Sequence, residues 1–208
     1  MDRDFWRFNV IPWVLATIVR FVELAVLGGL LVALGWIARE DIRSRRIPNR
    51  ATYPMILLGL LWGLGSSFVT HRLFPVQSLL DALLGCLICF AIMFVIYVYT
   101  NSGAGDVKLA AGIGSFLGVK GGFLAICYTY ITAACFAGCL ILWMFGFGFA
   151  ARGLLRTLGI WTAPEPEAVQ LKVAELLSRG LPLAPFFLIG TTLVLLEFMG
   201  FFRDWDAL

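Results

Sequence analysis

The sequence predicts an all-α, polytopic membrane protein, built as a helix bundle of about six transmembrane helices. Of its 208 residues, 61% are hydrophobic and only 14% are charged, whereas soluble domains are roughly 45–50% apolar. The mean hydropathy is +0.91. The apolar runs are too long and continuous for lipid-facing β-strands, which alternate over about ten residues. We therefore expect helices throughout.

Six apolar stretches are candidate spans. In chain order they are residues 21–38, 53–69, 79–100, 107–118, 122–149 and 183–202. A span takes about 20 helical residues, so the fourth is short and the fifth is long. The fourth rises only about 16 Å, roughly half of a hydrocarbon core. If the glycine-rich turn at 118–122 lies near one surface, the other end of this helix lies inside the bundle, where water must reach it.

Two segments outside the spans are expected to lie at the membrane surface. Residues 1–20 are aromatic and charged, which favours an interfacial helix. Residues 150–182 form a long polar interruption, and its amphipathic part, 168–178, predicts a short surface helix in a cytoplasmic loop. We expect residues 21–208 to form a single membrane-embedded domain.

Basic residues are distributed unequally between the two sides of the predicted bundle. If the spans alternate in direction, one side receives Arg39, Arg43, Arg45, Arg46, Arg50, Lys108, Arg152, Arg156, Lys172 and Arg179. The positive-inside rule makes that side cytoplasmic. The protein would then lie in the inner (plasma) membrane with Asp41 and Asp106 facing the cytoplasm. This topology signal explains the net charge of +3, so membrane lipid is an expected partner and nucleic acid is not.

Two aspartates stand at the ends of apolar runs, where a bare carboxylate is costly. Asp106 lies in Gly103-Ala-Gly-Asp-Val-Lys108, and Asp41 follows the first span among arginines. Acids at membrane depth are functional candidates. Two carboxylates held close together do not both ionise readily, so one can activate a water while the other, protonated, polarises a peptide carbonyl. The pair predicts an aspartyl hydrolase at the membrane.

Other chemistries have weaker support. The only histidine is His71, which excludes an H-E-x-x-H zinc site, and no serine has a recognisable nucleophile setting. All cysteines lie in predicted spans, so we expect no metal and no cofactor. Two other functions stay open: a proton- or cation-coupled transporter component, in which the acids relay ions, and a structural assembly subunit, in which they are replaceable. Asp106 alone could also be a helix N-cap.

Three short blocks occur in order along the chain. They are Asp41 followed by Arg46-Ile-Pro-Asn49, then Gly103-Ala-Gly-Asp-Val-Lys-Leu109, then Leu181-Pro-Leu-Ala-Pro-Phe186. Together they resemble the type IV prepilin peptidase family of GXGD aspartyl proteases, which includes the archaeal preflagellin peptidases. The resemblance implies cleavage of a leader peptide after a glycine, at the cytoplasmic face of the membrane, from prepilin-like precursor proteins.

The resemblance also implies roles for individual residues. Asp41 and Asp106 match the two catalytic aspartates of that family. The residues expected to bind substrate or to shape the site are Pro48, Asn49, Gly103, Gly105, Lys108, Pro182 and Pro185.

One feature of the resembling family is missing from this sequence. Its bifunctional members carry a cytoplasmic insert with paired C-x-x-C motifs and methylate the new N-terminus. Here the only C-x-x-C, Cys86 to Cys89, is a single pair inside a predicted span. We therefore expect a peptidase without methyltransferase activity. In size the chain is similar to the compact, peptidase-only branch seen with tight-adherence pili.

Overall fold

The computed structural model describes residues 3–66, 78–100, 103–146 and 182–199, and the regular structure within them is α-helical. Five helices follow in chain order: α1 Arg3–Ser44, α2 Asn49–Ser66, α3 Leu79–Thr100, α4 Ala104–Phe145 and α5 Ala184–Phe198. The predicted all-α class is confirmed. The surface helix predicted at 168–178 lies outside the described residues.

Within these ranges, three helical stretches are long and apolar enough to cross a bilayer. They are Thr17–Ser44, Leu79–Thr100 and Ala104–Met144, while Ala184–Phe198 is apolar but shorter. The six spans that we expected are therefore shown only in part. Large apolar side chains cover the outside of the bundle, among them Leu57, Leu61, Phe94 and Val98. Several apolar helices with an apolar exterior indicate a membrane protein.

Helix α1 is continuous across residue 20, where we expected an interfacial segment to give way to the first span, and it continues past residue 38 to Ser44. Its buried positions recur every three or four residues: Glu23, Leu27, Leu30, Leu34, Ile37, Ala38 and Asp41. This spacing places all of them on one face of a helix. Asp41 is therefore the last member of an otherwise largely apolar face that packs into the bundle.

Helix α4 consists of two arms joined by a reversal at Gly118, whose backbone is not helical (φ 68°, ψ −170°). A Cβ atom on Gly122 would lie 2.9 Å from the Cα of Gly114, whereas a straight helix would separate these positions by about 12 Å. The chain therefore doubles back, as the glycine-rich turn predicted. Glycine adopts this positive φ without the steric cost that a side chain brings.

The first arm of α4, residues 104–117, lies at the centre of the bundle, and every residue from 109 to 117 is buried. Helix α3 approaches this arm so closely that a side chain on Gly85 would overlap the backbone of Gly114. Small residues at such crossings let helices pack backbone to backbone in lipid. Asp106, in the first turn of this arm, is buried as well.

Candidate active site

Asp41 lies in the last turns of α1 and faces the start of α5. Its Oδ2 accepts a hydrogen bond of 3.2 Å from the backbone N–H of Ala184. Because Ala184 begins α5, with Pro185 in the first turn, this donor is one of the amides that a helix leaves free at its N-terminus. The hydrogen bond and the helix dipole both favour a carboxylate at this point.

Asp106 lies in the first turn of α4, three positions after Gly103, which is the N-cap residue. Its N–H donates to the carbonyl of Gly103 at 3.0 Å, and Gly103 caps the helix without a side-chain hydrogen bond. Asp106 is thus not itself the N-cap. The helix begins at Ala104 rather than near 107, so Gly105 is helical.

The two carboxylates share one cavity of about 500 Å³. Each aspartate is only 7% exposed. The predicted residues that line this cavity are Asp41, Asn49, Gly103, Gly105, Asp106, Lys108 and Pro182. Residues from three distant parts of the chain therefore meet at one place.

Two of the predicted residues, Pro48 and Pro185, do not line the cavity. The carbonyl of Pro48 accepts the N–H groups of Ala51 at 3.0 Å and of Thr52 at 3.4 Å, so Pro48 precedes and starts α2. Pro185 lies in the first turn of α5. Both prolines mark the start of a helix, where proline costs no helical hydrogen bond. They contribute to the site by fixing where α2 and α5 begin, which positions the neighbouring residues.

Lys108 is held by two residues of α2. Its Nζ donates to Asn49 Oδ1 at 2.9 Å and to the hydroxyl of Tyr53 at 3.1 Å, and it lies 5.1 Å from the centroid of the Tyr53 ring. Sequence reasoning missed Tyr53. The available signal was its spacing, because Tyr53 follows Asn49 by four positions and so shares its face of α2.

The connection between α1 and α2 also lines the cavity, through Arg45, Arg46 and Ile47. Arg45 has a left-handed backbone (φ 51°), and its N–H donates to the carbonyl of Asp41 at 2.8 Å. This closes the helix in the manner of an αL C-cap. Nothing in the sequence indicated the turn, because that position is usually glycine or asparagine.

The same connection lies directly against the first turn of α4. A Cβ atom on Gly105 would be 2.8 Å from the Cβ of Ile47, closer than two such atoms can approach. Glycine at 105 therefore allows the α1–α2 connection and the start of α4 to come together. Within the described part of the chain, no group of three or more His, Cys, Asp and Glu residues could hold a metal ion. Two acids beside a cavity are suited to moving protons to and from a water molecule.

Comparison with known proteins finds one matching family and several relatives of this chain. The model of the type IV leader peptidase family matches residues 26–138, which include both aspartates. Preflagellin peptidase of Methanococcus voltae is 35% identical over 89 residues, which cover 43% of this chain and 35% of that protein. Preflagellin peptidase of Methanocaldococcus jannaschii is 30% identical over 100 residues, covering 48% and 38%.

A third relative is the prepilin leader peptidase/N-methyltransferase of Neisseria gonorrhoeae, 34% identical over 103 residues, covering 45% of this chain and 33% of that protein. The chain thus spans about a third of the length of the curated relatives that it matches. No solved structure matches it significantly. Because the family model matches more than half of the chain, this protein belongs to the type IV leader peptidase family.

Proposed function

We propose that this protein is a membrane-embedded aspartyl endopeptidase that removes the leader peptide from precursors of the prepilin or preflagellin type. The observation that carries the proposal is the cavity shared by Asp41 and Asp106, which come from different helices and are both buried. Membership of the leader peptidase family, and the names of the three relatives, support the reaction class.

The proposed mechanism needs a water between the two carboxylates. The ionised carboxylate takes a proton from this water, and the water oxygen attacks the peptide carbonyl carbon. The protonated carboxyl gives its proton to the carbonyl oxygen. The C–N bond then breaks as a proton passes to the leaving nitrogen. Both acids line one cavity, so we treat the shared proton as belonging to the pair.

Access for the substrate backbone is the second part of the proposal. Gly103 and Gly105 line the cavity without presenting side chains to it. An extended peptide can therefore approach Asp106 closely, whereas a peptide bond inside a helix is occupied by its own hydrogen bonds. Pro182, in the segment before α5, also lines the cavity.

The proposed location is the inner membrane, with the cavity facing the cytoplasm. Arg45 and Arg46 line the cavity, and the positive-inside rule favours the cytoplasmic side for such residues. We propose that residues 21–208 form one peptidase domain and that residues 1–20 lie at the membrane interface. The assay below also includes a precursor of a tight-adherence pilin, the substrate that we expected from the sequence.

The test uses the full chain purified in detergent, where no ion gradient exists to drive a transporter. It is incubated with a prepilin, a tight-adherence prepilin, a preflagellin and a scrambled precursor, and the products are identified by mass spectrometry. We expect one cut after a glycine in at least one precursor. Adding S-adenosylmethionine should add no methyl group to the new N-terminus.

Variants of the two acids identify the groups that carry the reaction. Asp41→Asn and Asp106→Asn should each lower kcat by roughly 10²–10⁴-fold, since each removes one proton-transfer group. Glu40→Gln is the matched control, because Glu40 neighbours Asp41 and lies outside the cavity lining. An absence of cleavage in the wild type would contradict the function, and an asparagine variant within tenfold of wild type would remove that aspartate from the pair.

A further inference from the structure

Lys108 is a cation that lines the cavity, and the two side chains that it hydrogen-bonds, Asn49 and Tyr53, are uncharged. An ammonium group has three N–H donors. Two of them are occupied by Asn49 Oδ1 and the Tyr53 hydroxyl, which are neutral acceptors. The positive charge is therefore not balanced by either partner, and Lys108 lines the same cavity as the two aspartates.

Peptide hydrolysis creates an anion in that cavity. The peptide carbonyl gains the water oxygen, the C–N bond breaks, and the products are a carboxylate on the leader and an amine on the mature protein. The intact peptide bond carries no charge, so the new carboxylate distinguishes the cleaved leader from the uncleaved precursor. It is formed beside two aspartates, whose negative charge a nearby cation offsets.

We propose that Lys108, held by Asn49 and Tyr53, binds the carboxylate that cleavage creates at the C-terminus of the leader. This inference rests on the proposed peptidase function and names the group of the product that the site recognises. The arrangement is preorganised, because two hydrogen bonds and the Tyr53 ring already restrict the lysine side chain. Arg45 and Arg46 also line the cavity, but both are exposed side chains on the α1–α2 connection.

The competing explanation is that Lys108 only ties α4 to α2. Both explanations predict that its loss disturbs the protein, so activity alone does not separate them. A structural tie, however, has no reason to distinguish a peptide acid from the corresponding amide. Discrimination between these two ligands is therefore the property to measure.

The experiment uses a short basic peptide that ends in glycine and carries a fluorescent label at its N-terminus. It is made in two forms, with a free C-terminal carboxylate and with a C-terminal amide. Binding of each to the full-length protein in detergent is measured by fluorescence anisotropy. We expect wild type to bind the acid about tenfold more tightly than the amide, because one charge-assisted hydrogen bond contributes roughly that difference in affinity.

Four variants separate the effect of the Lys108 charge from the effect of its contact with α2. Lys108→Met and Lys108→Gln should bring the acid-to-amide ratio to about one, and the glutamine can still donate to Asn49. Lys108→Arg, which keeps the charge, should retain part of the preference. Lys120→Met is the matched control, since Lys120 is an exposed lysine of the same helix beyond Gly118 and should leave the ratio unchanged.

Thermal unfolding of each variant shows which ones are folded. Equal binding of acid and amide by wild type, or an unchanged preference in Lys108→Met or Lys108→Gln, would overturn the proposal. Cleavage of a precursor is measured on the same preparations. Cleavage without an acid preference rejects this inference and leaves the peptidase standing, whereas an acid preference that depends on Lys108 without cleavage rejects the peptidase and keeps the carboxylate site.

Discussion

The carboxylate of Asp41 caps the amino terminus of α5 through the N–H of Ala184, which lies 143 positions further along the chain. One side chain thus joins the end of α1 to the start of α5. The contact orients the Asp41 carboxylate towards the cavity that Asp106 also lines. It gives Asp41 a structural role that its proposed chemical role does not require.

The two roles of Asp41 are separable by substitution. Asp41→Asn keeps an oxygen acceptor for Ala184, so it should lose cleavage and retain stability. Asp41→Leu leaves the buried N–H without a partner and should lower the free energy of unfolding by about 1–3 kcal/mol. Unfolding of both variants in detergent measures the difference. Equal stability would show that the hydrogen bond contributes nothing to the fold.

The contact between Gly105 and Ile47 predicts a second result. Gly105→Ala places a methyl group against Ile47, which should displace the α1–α2 connection and lower kcat by about ten- to a hundredfold. The double variant Gly105→Ala/Ile47→Gly, which removes the Cβ atom of residue 47, should recover most of the activity. Gly65→Ala is the control, because nothing lies within 4 Å of a Cβ atom there. A double variant as slow as Gly105→Ala would argue against this steric cause.

The reversal in α4 predicts a loss of stability when Gly118 changes. Its φ of 68° is unfavourable for alanine, and the new methyl group would overlap the Asp81 carboxylate. Gly118→Ala should therefore lower the free energy of unfolding by at least about 1 kcal/mol. Gly138→Ala, in the second arm with open space around it, should be neutral or slightly stabilising. An unchanged free energy of unfolding in Gly118→Ala would contradict the positive φ at this position.

Orientation in the membrane is tested by thiol labelling. Ser44→Cys and Lys120→Cys are introduced one at a time into a chain whose native cysteines have been replaced. Both positions are exposed, one at the end of α1 and the other just after the reversal. We expect Ser44→Cys to react only with reagents from the cytoplasmic side and Lys120→Cys only from the outside. Labelling of Ser44→Cys from outside would reverse the proposed topology.

Some features of the fold could be predicted because they depend on local composition. The long apolar runs predicted helices, and the glycines at 118–122 predicted a reversal that the structure has at Gly118. Boundaries were less accurate: α4 begins before residue 107, because Gly103 is its N-cap and the N–H of Asp106 already bonds to the Gly103 carbonyl. Such caps depend on one or two hydrogen bonds, which hydrophobic patterning does not detect.

The sequence by itself determined the helical class, the membrane character and the identity of two unusual aspartates, since each of these follows from which residue types lie near one another along the chain. Only the tertiary structure decided that Asp41 meets Ala184, that Lys108 is held by Tyr53, and that Ile47 lies against Gly105. The physical reason is that helical periodicity indicates which face of a helix is buried but not which helix covers it. The left-handed turn at Arg45 belongs with these features, because packing rather than local preference holds a residue of that type in such a conformation.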